Sequence, residues 1–213
     1  MSINRNDFSD LTNYLQVTYP VMESFYSLQG EGFWSGNAAF FLRLGGCDVQ
    51  CFWCDVPESW GHSHPRLAVE QILQEILLTK AERIVITGGE PSLYDLFPLT
   101  QTLKNHGLKV HLETAGNHTI TGEFDWICLS PKKFSPPLPK NYLLANELKV
   151  IVLNKHDLTW AQQQAQNCIE QTLKYLQPEW ATFDTMIHEM IPFIQQNPTW
   201  RLSLQIHKYL NIR

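Results

Sequence analysis

Three cysteines, Cys47, Cys51 and Cys54, stand in a C-x3-C-x2-C run with the aromatic Trp53 directly before the third. The run supplies three thiolates and no fourth. A [4Fe-4S] cluster takes one thiolate per iron, so three ligands leave one iron open to bind and activate another molecule. The same thiolates also suit a structural zinc ion, with His62 or His64 completing a Cys3His set. On the cysteines alone both readings stand.

A second pattern is Thr87-Gly88-Gly89-Glu90-Pro91. Two glycines let a ligand approach the backbone closely, and the Glu90 carboxylate is an acceptor for an ammonium group. Alone, the motif reads first as a plain strand-to-helix turn with a helix opened by a proline. Ser130-Pro131-Lys132 reads bare as a turn at a strand end.

The elements that must position these residues follow from periodicity. Apolar runs predict strands at 21–26, 38–44, 83–87, 109–113, 126–129, 147–152, 172–176 and 202–206. The cysteine run begins where the second of these ends. A helix opened by Pro65 carries Val69, Ile72, Leu73, Ile76 and Leu77 on one face, and another carries Leu96, Leu99 and Leu103 before Gly107. Later helices are expected at 158–168 and 184–196, the second kinked at Pro192. Such alternation predicts an α/β fold, a mostly parallel sheet with helices packed outside it. A closed eight-unit barrel takes about 250 residues. With 213, an incomplete TIM-like β/α barrel is expected.

Length and composition bound the rest. The chain suffices for one well-buried domain, expected over 19–213 after a flexible extension at 1–18. No stretch approaches the roughly 20 apolar residues of a membrane span. Residues 1–16 lack the basic start and apolar run of a secretory signal, so a cytoplasmic location is the expectation. A net charge of -5 argues against a nucleic-acid partner. Clustering of three of the five cysteines points to metal ligation or catalysis rather than a disulfide framework. Cys128 and Cys168 are expected as inert residues in apolar surroundings.

Taken together, the cysteine run after one strand and Gly-Gly-Glu-Pro after the next resemble the radical S-adenosylmethionine enzymes. Within that superfamily the chain looks most like the 7-carboxy-7-deazaguanine synthases. The likeness rests on Leu28-Gln29-Gly30-Glu31-Gly32, Phe41-Leu42-Arg43-Leu44-Gly45-Gly46-Cys47, Cys54-Asp55, the Gly-Gly-Glu-Pro motif, Glu113-Thr114, Ser130-Pro131-Lys132, Glu147-Leu148-Lys149, Leu176-Gln177-Pro178 and the tail from Gln205 to Arg213. The resemblance implies a radical ring contraction of 6-carboxy-5,6,7,8-tetrahydropterin to 7-carboxy-7-deazaguanine with loss of ammonia, on the route to queuosine. It implies a [4Fe-4S] cluster on Cys47, Cys51 and Cys54, and S-adenosylmethionine at Trp53, Cys54, Asp55, Gly89, Glu90, Glu113, Ser130, Pro131, Lys132 and Gln177. It places the pterin at Leu28, Gln29, Gly30, Glu31, Arg43, Thr87, His207 and Arg213, with Arg43 clamping the substrate carboxylate. The family also implies an external one-electron reductant such as flavodoxin, and a homodimer.

One departure stands out. Where the family places a Mg2+-binding hydroxyl after Cys-Asp, this chain has Val56, which offers no oxygen to a hard cation. Water, the substrate, or Asp55, Glu58 or Ser59 must then hold the ion, or the dependence on Mg2+ is weak. A glycyl-radical-enzyme activase shares the cysteine spacing, but it gives no reason for the Gln29 to Gly32 loop or the His207 tail.

Overall fold

The structure, a computed structural model, describes residues 13–213. Its strands are β1 (Thr18–Leu28), β2 (Ala38–Leu44), β3 (Arg66–Ala68), β4 (Arg83–Gly88), β5 (Lys109–Thr114), β6 (Trp126–Leu129), β7 (Glu147–Val152), β8 (Leu173–Pro178) and β9 (Trp200–Leu202). They form one sheet in the order β3-β1-β2-β4-β5-β6-β7-β8-β9. Pairings from β2 through β4 to β9 are all parallel, whereas β1 runs antiparallel to both β2 and β3. The sheet is not closed, as expected for a partial barrel. Its helices are α1 (Val69–Leu77), α2 (Phe97–Asn105), α3 (Pro139–Tyr142), α4 (His156–Ala165), α5 (Phe183–Gln196) and α6 (Ile206–Leu210). Among the described residues, no helix is long and apolar enough to cross a membrane.

Alternation along each strand decides what faces what, because successive side chains point to opposite sides of a sheet. Leu42, Ile84, Ile86, Val110 and Leu112 pack outward with Ile72, Ile76, Leu99 and Leu103 of α1 and α2. Leu148, Val150, Val152 and Leu176 do the same with Leu158 of α4 and Met186 and Met190 of α5. The intervening residues Phe41, Arg43, Val85, Thr87, Glu113, Lys149 and Gln177 line cavities inside the barrel. The greasy outer face holds the fold, and the polar inner face is left for chemistry.

The gap in the barrel is bridged by residues distant in sequence. The loop between β1 and β2 folds inward, and Gly32, at a left-handed φ of 64°, donates its N–H to Ser203 Oγ at 2.9 Å. Ile206 N–H donates to the Gly30 carbonyl at 3.0 Å. Deeper in, Trp34 packs beneath the Arg83 guanidinium at 4.0 Å and against His111 and Trp126. Burial, helped by Arg83, draws His111 down to about 4, so it is neutral at neutral pH.

Several expectations are corrected. Arg66–Ala68 after Pro65 is a strand paired with β1, and the helix starts only at Val69. The expected strand at 202–206 ends at Leu202, because Ser203 and Gln205 are drawn off into hydrogen bonds with Gln177, Glu31 and Asp55. The helix expected from 158 begins at His156, where the Asp157 carboxylate accepts from the backbone N–H of Leu153 and Asn154. The later helix spans Phe183–Gln196 with Pro192 inside it, close to the expected 184–196. Residues 1–12 of the expected extension lie outside the described residues, whereas Leu15 and Val17 pack on the core. Cys128 is buried in a polar niche, with its Sγ 3.6 Å from Glu147.

Candidate active site

The cysteine loop is hung between two strand ends. Gly46 N–H donates to Ser59 O at 2.8 Å and Cys47 N–H to Trp60 O at 3.2 Å, so the single turn at Pro57–Trp60 fixes where the loop starts. From the other side Gly89 N–H reaches Leu44 O at 2.9 Å and Glu90 N–H reaches Gly46 O at 2.8 Å. A Cβ on Gly88 would collide with the Leu44 backbone, and one on Gly89 with that of Gly46. These glycines let the ends of β2 and β4 touch each other, a reason different from ligand access. Glu90, 1% exposed, accepts from Ser92 N–H and Oγ and from Thr114 Oγ1 through Oε1, and from Ala115 N–H through Oε2. It ties β4 to β5 and keeps acceptor capacity on Oε2.

Cys47, Cys51 and Cys54 line one cavity of about 240 Å³ together with Trp53, Asp55, Gly89, Glu90, Glu113, Ser130, Lys132 and Gln177. Pro131 is not on its wall. Burial pushes the Cys47 and Cys51 thiols up, and at Cys51 the Lys132 ammonium opposes this. Lys132 is itself drawn down by burial, and its Nζ is held by Ser130 O at 2.5 Å and Ser130 Oγ at 2.8 Å. A single zinc ion needs every sulfur about 2.3 Å from one point, whereas a cluster spreads its thiolates over several irons. Among the described residues no three His, Cys, Asp or Glu side chains are grouped to hold one ion. His64 Nε2 is instead engaged with Glu58 O at 3.0 Å. Three thiols on one wall with a lysine beside them fit a cluster and its negative charge.

A second cavity of about 180 Å³ lies alongside and shares Glu31, Asp55, Thr87, Glu113 and Gln205 with the first. All eight residues expected at the pterin, Leu28, Gln29, Gly30, Glu31, Arg43, Thr87, His207 and Arg213, lie on its wall, with Val56. Arg43 Nε donates to Glu23 at 2.7 Å, which leaves both terminal nitrogens of its fork free of that pair. The Arg213 carbonyl accepts from Ser27 Oγ at 2.5 Å. Of the Mg2+ candidates, Asp55 is engaged by Gln205 and Lys208, and Ser59 Oγ donates to Val56 O. Glu58 is exposed.

Sequence reasoning gave no role to the residues that hold this wall in place. Lys149, 3% exposed, puts its ammonium 2.5 Å from Glu31 and 2.9 Å from Glu113. Gln29 Nε2 also donates to Glu113, at 3.2 Å. Glu147 and Lys149 alternate with Leu148 and Val150, and charge at the inward positions of an otherwise apolar strand was the available signal. Glu23, Ser203, Gln205 and Lys208 carry no local signal, since their partners lie on remote segments.

Two expected outcomes follow from this geometry. The His207 ring lies over Gly30 so closely that an added Cβ would overlap it. Gly30→Ala should therefore displace His207 and raise KM for the pterin expected in this cavity by at least about tenfold with little change in melting temperature, since a misplacement near 1 Å costs up to about a hundredfold in rate. Acid titration is the second. Burial alone would raise Glu31, but the charge and hydrogen bond of Lys149, with help from Gln205, hold it at about 2, below the ordinary 4.5. Its contribution to stability is thus complete above pH 4.5 and lost as pH falls through about 2. His111 gives way earlier, as pH falls from its ordinary 6.5 through about 4. Urea midpoints across that range should fall in two stages, and His111→Phe should remove the first.

Residues 42–127 match the sequence profile described as the Radical SAM superfamily. The chain is 50% identical over 204 residues to the 7-carboxy-7-deazaguanine synthase of Synechocystis sp., covering 95% of this chain and 98% of that protein. It is 49% identical to the enzyme of the same name from Flavobacterium psychrophilum, covering 91% of this chain and 92% of the relative. The crystal structure of QueE from Escherichia coli superposes with a TM-score of 0.79 at 30% identity, over 91% of this chain and 97% of that one.

Proposed function

The chain belongs to the 7-carboxy-7-deazaguanine synthases, radical S-adenosylmethionine enzymes carrying a [4Fe-4S] cluster, and from that membership we propose a residue-level reading of its two cavities. The reaction converts 6-carboxy-5,6,7,8-tetrahydropterin to 7-carboxy-7-deazaguanine with loss of ammonia, within queuosine biosynthesis. The observation that carries the reading is that the cysteine-lined cavity and the cavity of the eight pterin residues share a wall.

Cys47, Cys51 and Cys54 would hold the cluster, and S-adenosylmethionine would lie along Trp53, Asp55, Gly89, Glu90, Glu113, Ser130, Lys132 and Gln177. When bound, cluster and S-adenosylmethionine supply the 5′-deoxyadenosyl radical that starts the rearrangement. The chain's own residues position the substrate and exclude water. Glu31, kept ionised by Lys149, accepts from the amino-pyrimidinone edge, and Leu28, Gln29, Gly30, Thr87 and His207 complete the ring contacts. Arg43, steadied at Nε by Glu23, offers its remaining nitrogens to the substrate carboxylate, with Arg213 beside it. Residues 19–213 act as one unit. A flavodoxin-like protein supplies the electron and the chain pairs as a homodimer, both on family membership; the net charge of -5 favours no nucleic-acid partner.

An anaerobic assay with reconstituted cluster, reductant, S-adenosylmethionine and the carboxytetrahydropterin, read by mass spectrometry, tests this. The deazaguanine product is expected; 5′-deoxyadenosine without it would sink the substrate assignment. At the metal, Mg2+ is held mainly by water and substrate, because Val56 lines the pterin cavity without an oxygen to give. Val56→Thr should lower the Mg2+ concentration for half-maximal turnover by about tenfold, the order that one oxygen ligand contributes. An unchanged Mg2+ response would discard that view.

A further inference from the structure

Gln205 stands where the two cavities meet and lines both. Its Nε2 donates to Glu31 Oε1 at 3.0 Å and to Asp55 Oδ2 at 2.7 Å. Two carboxylate acceptors on one nitrogen fix the amide's orientation, since only the NH2 end has two protons to give. Gln205 itself is buried at 8% exposure, and Glu31 is largely covered, whereas the Asp55 carboxylate faces solvent on its outer side. Lys149 neutralises Glu31 on the inner side at 2.5 Å, and Lys208 neutralises Asp55 on the outer side at 2.6 Å. The result is a chain of five groups, ammonium, carboxylate, amide, carboxylate and ammonium. It starts inside the barrel and ends on α6. Asp55 directly follows the third cysteine, whereas Glu31 belongs to the pterin wall.

We propose that Gln205 is a positioning residue that couples the two cavities, so that ordering Glu31 by the pterin also orders Asp55 and the cysteine loop that meets S-adenosylmethionine. The inference rests on the functional reading above. Displacing either carboxylate leaves an N–H of the buried Gln205 amide without its acceptor, so the amide favours the arrangement in which both carboxylates are held. Coupling of this kind is reciprocal. The pterin should tighten S-adenosylmethionine by the same factor as S-adenosylmethionine tightens the pterin, within the range of about 5 to 150-fold seen for linked sites.

The test uses cluster-loaded protein under anaerobic conditions, without reductant, so that no turnover occurs. Titration calorimetry measures the S-adenosylmethionine Kd with and without saturating pterin. In the unaltered protein the pterin should lower it by about fivefold or more. Gln205→Leu, similar in size but without a donor, should bring that ratio to about one while cluster content is retained. Should that variant not fold, Gln205→Asn, one methylene too short to span both carboxylates, serves instead. In separate samples reduced and frozen at once, electron paramagnetic resonance of the cluster with S-adenosylmethionine gives a second readout, sensitive to pterin in the unaltered protein and insensitive in the variant. A ratio of one in the unaltered protein, or a variant that melts lower yet keeps its ratio, overturns the coupling role. If the unaltered protein binds the pterin and makes product, such a result removes the Gln205 proposal alone; if it does neither, both readings fall.

Discussion

Lys149→Met should cost about 3–5 kcal/mol of stability, the range for removing one partner from a buried charge pair. Two carboxylates, Glu31 and Glu113, would lose the ammonium between them while remaining in a shielded interior. A methionine of similar length leaves little cavity, so the loss is electrostatic rather than steric. Glu31 should then titrate near or above the ordinary 4.5 instead of about 2. Turnover should fall by about a hundredfold, because the pterin wall loses the charge that sets its geometry. Urea unfolding at neutral and acid pH checks the first part. The double variant Glu31→Gln with Lys149→Met should recover part of the stability, which a cavity explanation would not give.

Cys54→Ala should abolish product formation, with iron content and brown colour largely lost, since each iron but one depends on its own thiolate. Before cluster loading, the melting temperature should hardly move, because Cys54 sits half-exposed on a loop. Cys128→Ala should keep its iron, since Cys128 is buried beside Glu147 on β6, away from the cluster cavity. Iron analysis and visible absorbance after anaerobic reconstitution separate the two. Full iron in Cys54→Ala would overturn the ligand assignment.

The strands at 38–44, 126–129 and 147–152 match the sequence reading because their apolar runs are buried on the side where α-helices pack. The run Leu202, Leu204, Ile206 alternates just as well, yet Ser203 and Gln205 have partners on the loop between β1 and β2 that outbid the ladder. No local pattern reveals that competition. At the site, the cysteines and Gly-Gly-Glu-Pro were legible as chemistry, and the glycines also serve strand-end contact, which the sequence did not reveal. The wall of the second cavity became visible only through family likeness, because its members come from β1, the loop after it, β2, β4 and the tail. Lys149 shows the limit from the other side: its residue type and inward register were readable, and its two carboxylate partners, 118 and 36 residues away, were not.

The bridge across the barrel gap also dictates an order of assembly during synthesis. The framework of the cysteine loop draws on β2, the turn at Pro57–Trp60, and the ends of β4 and β5, all available once residue 115 has left the ribosome. The contact between Gln205 and Glu31 spans 174 residues and must wait for nearly the whole chain. Closing so long a loop adds only modestly to the equilibrium cost, but it is slow relative to local structure. A nascent chain therefore has the framework of its cysteine loop well before it has the wall that joins the two cavities.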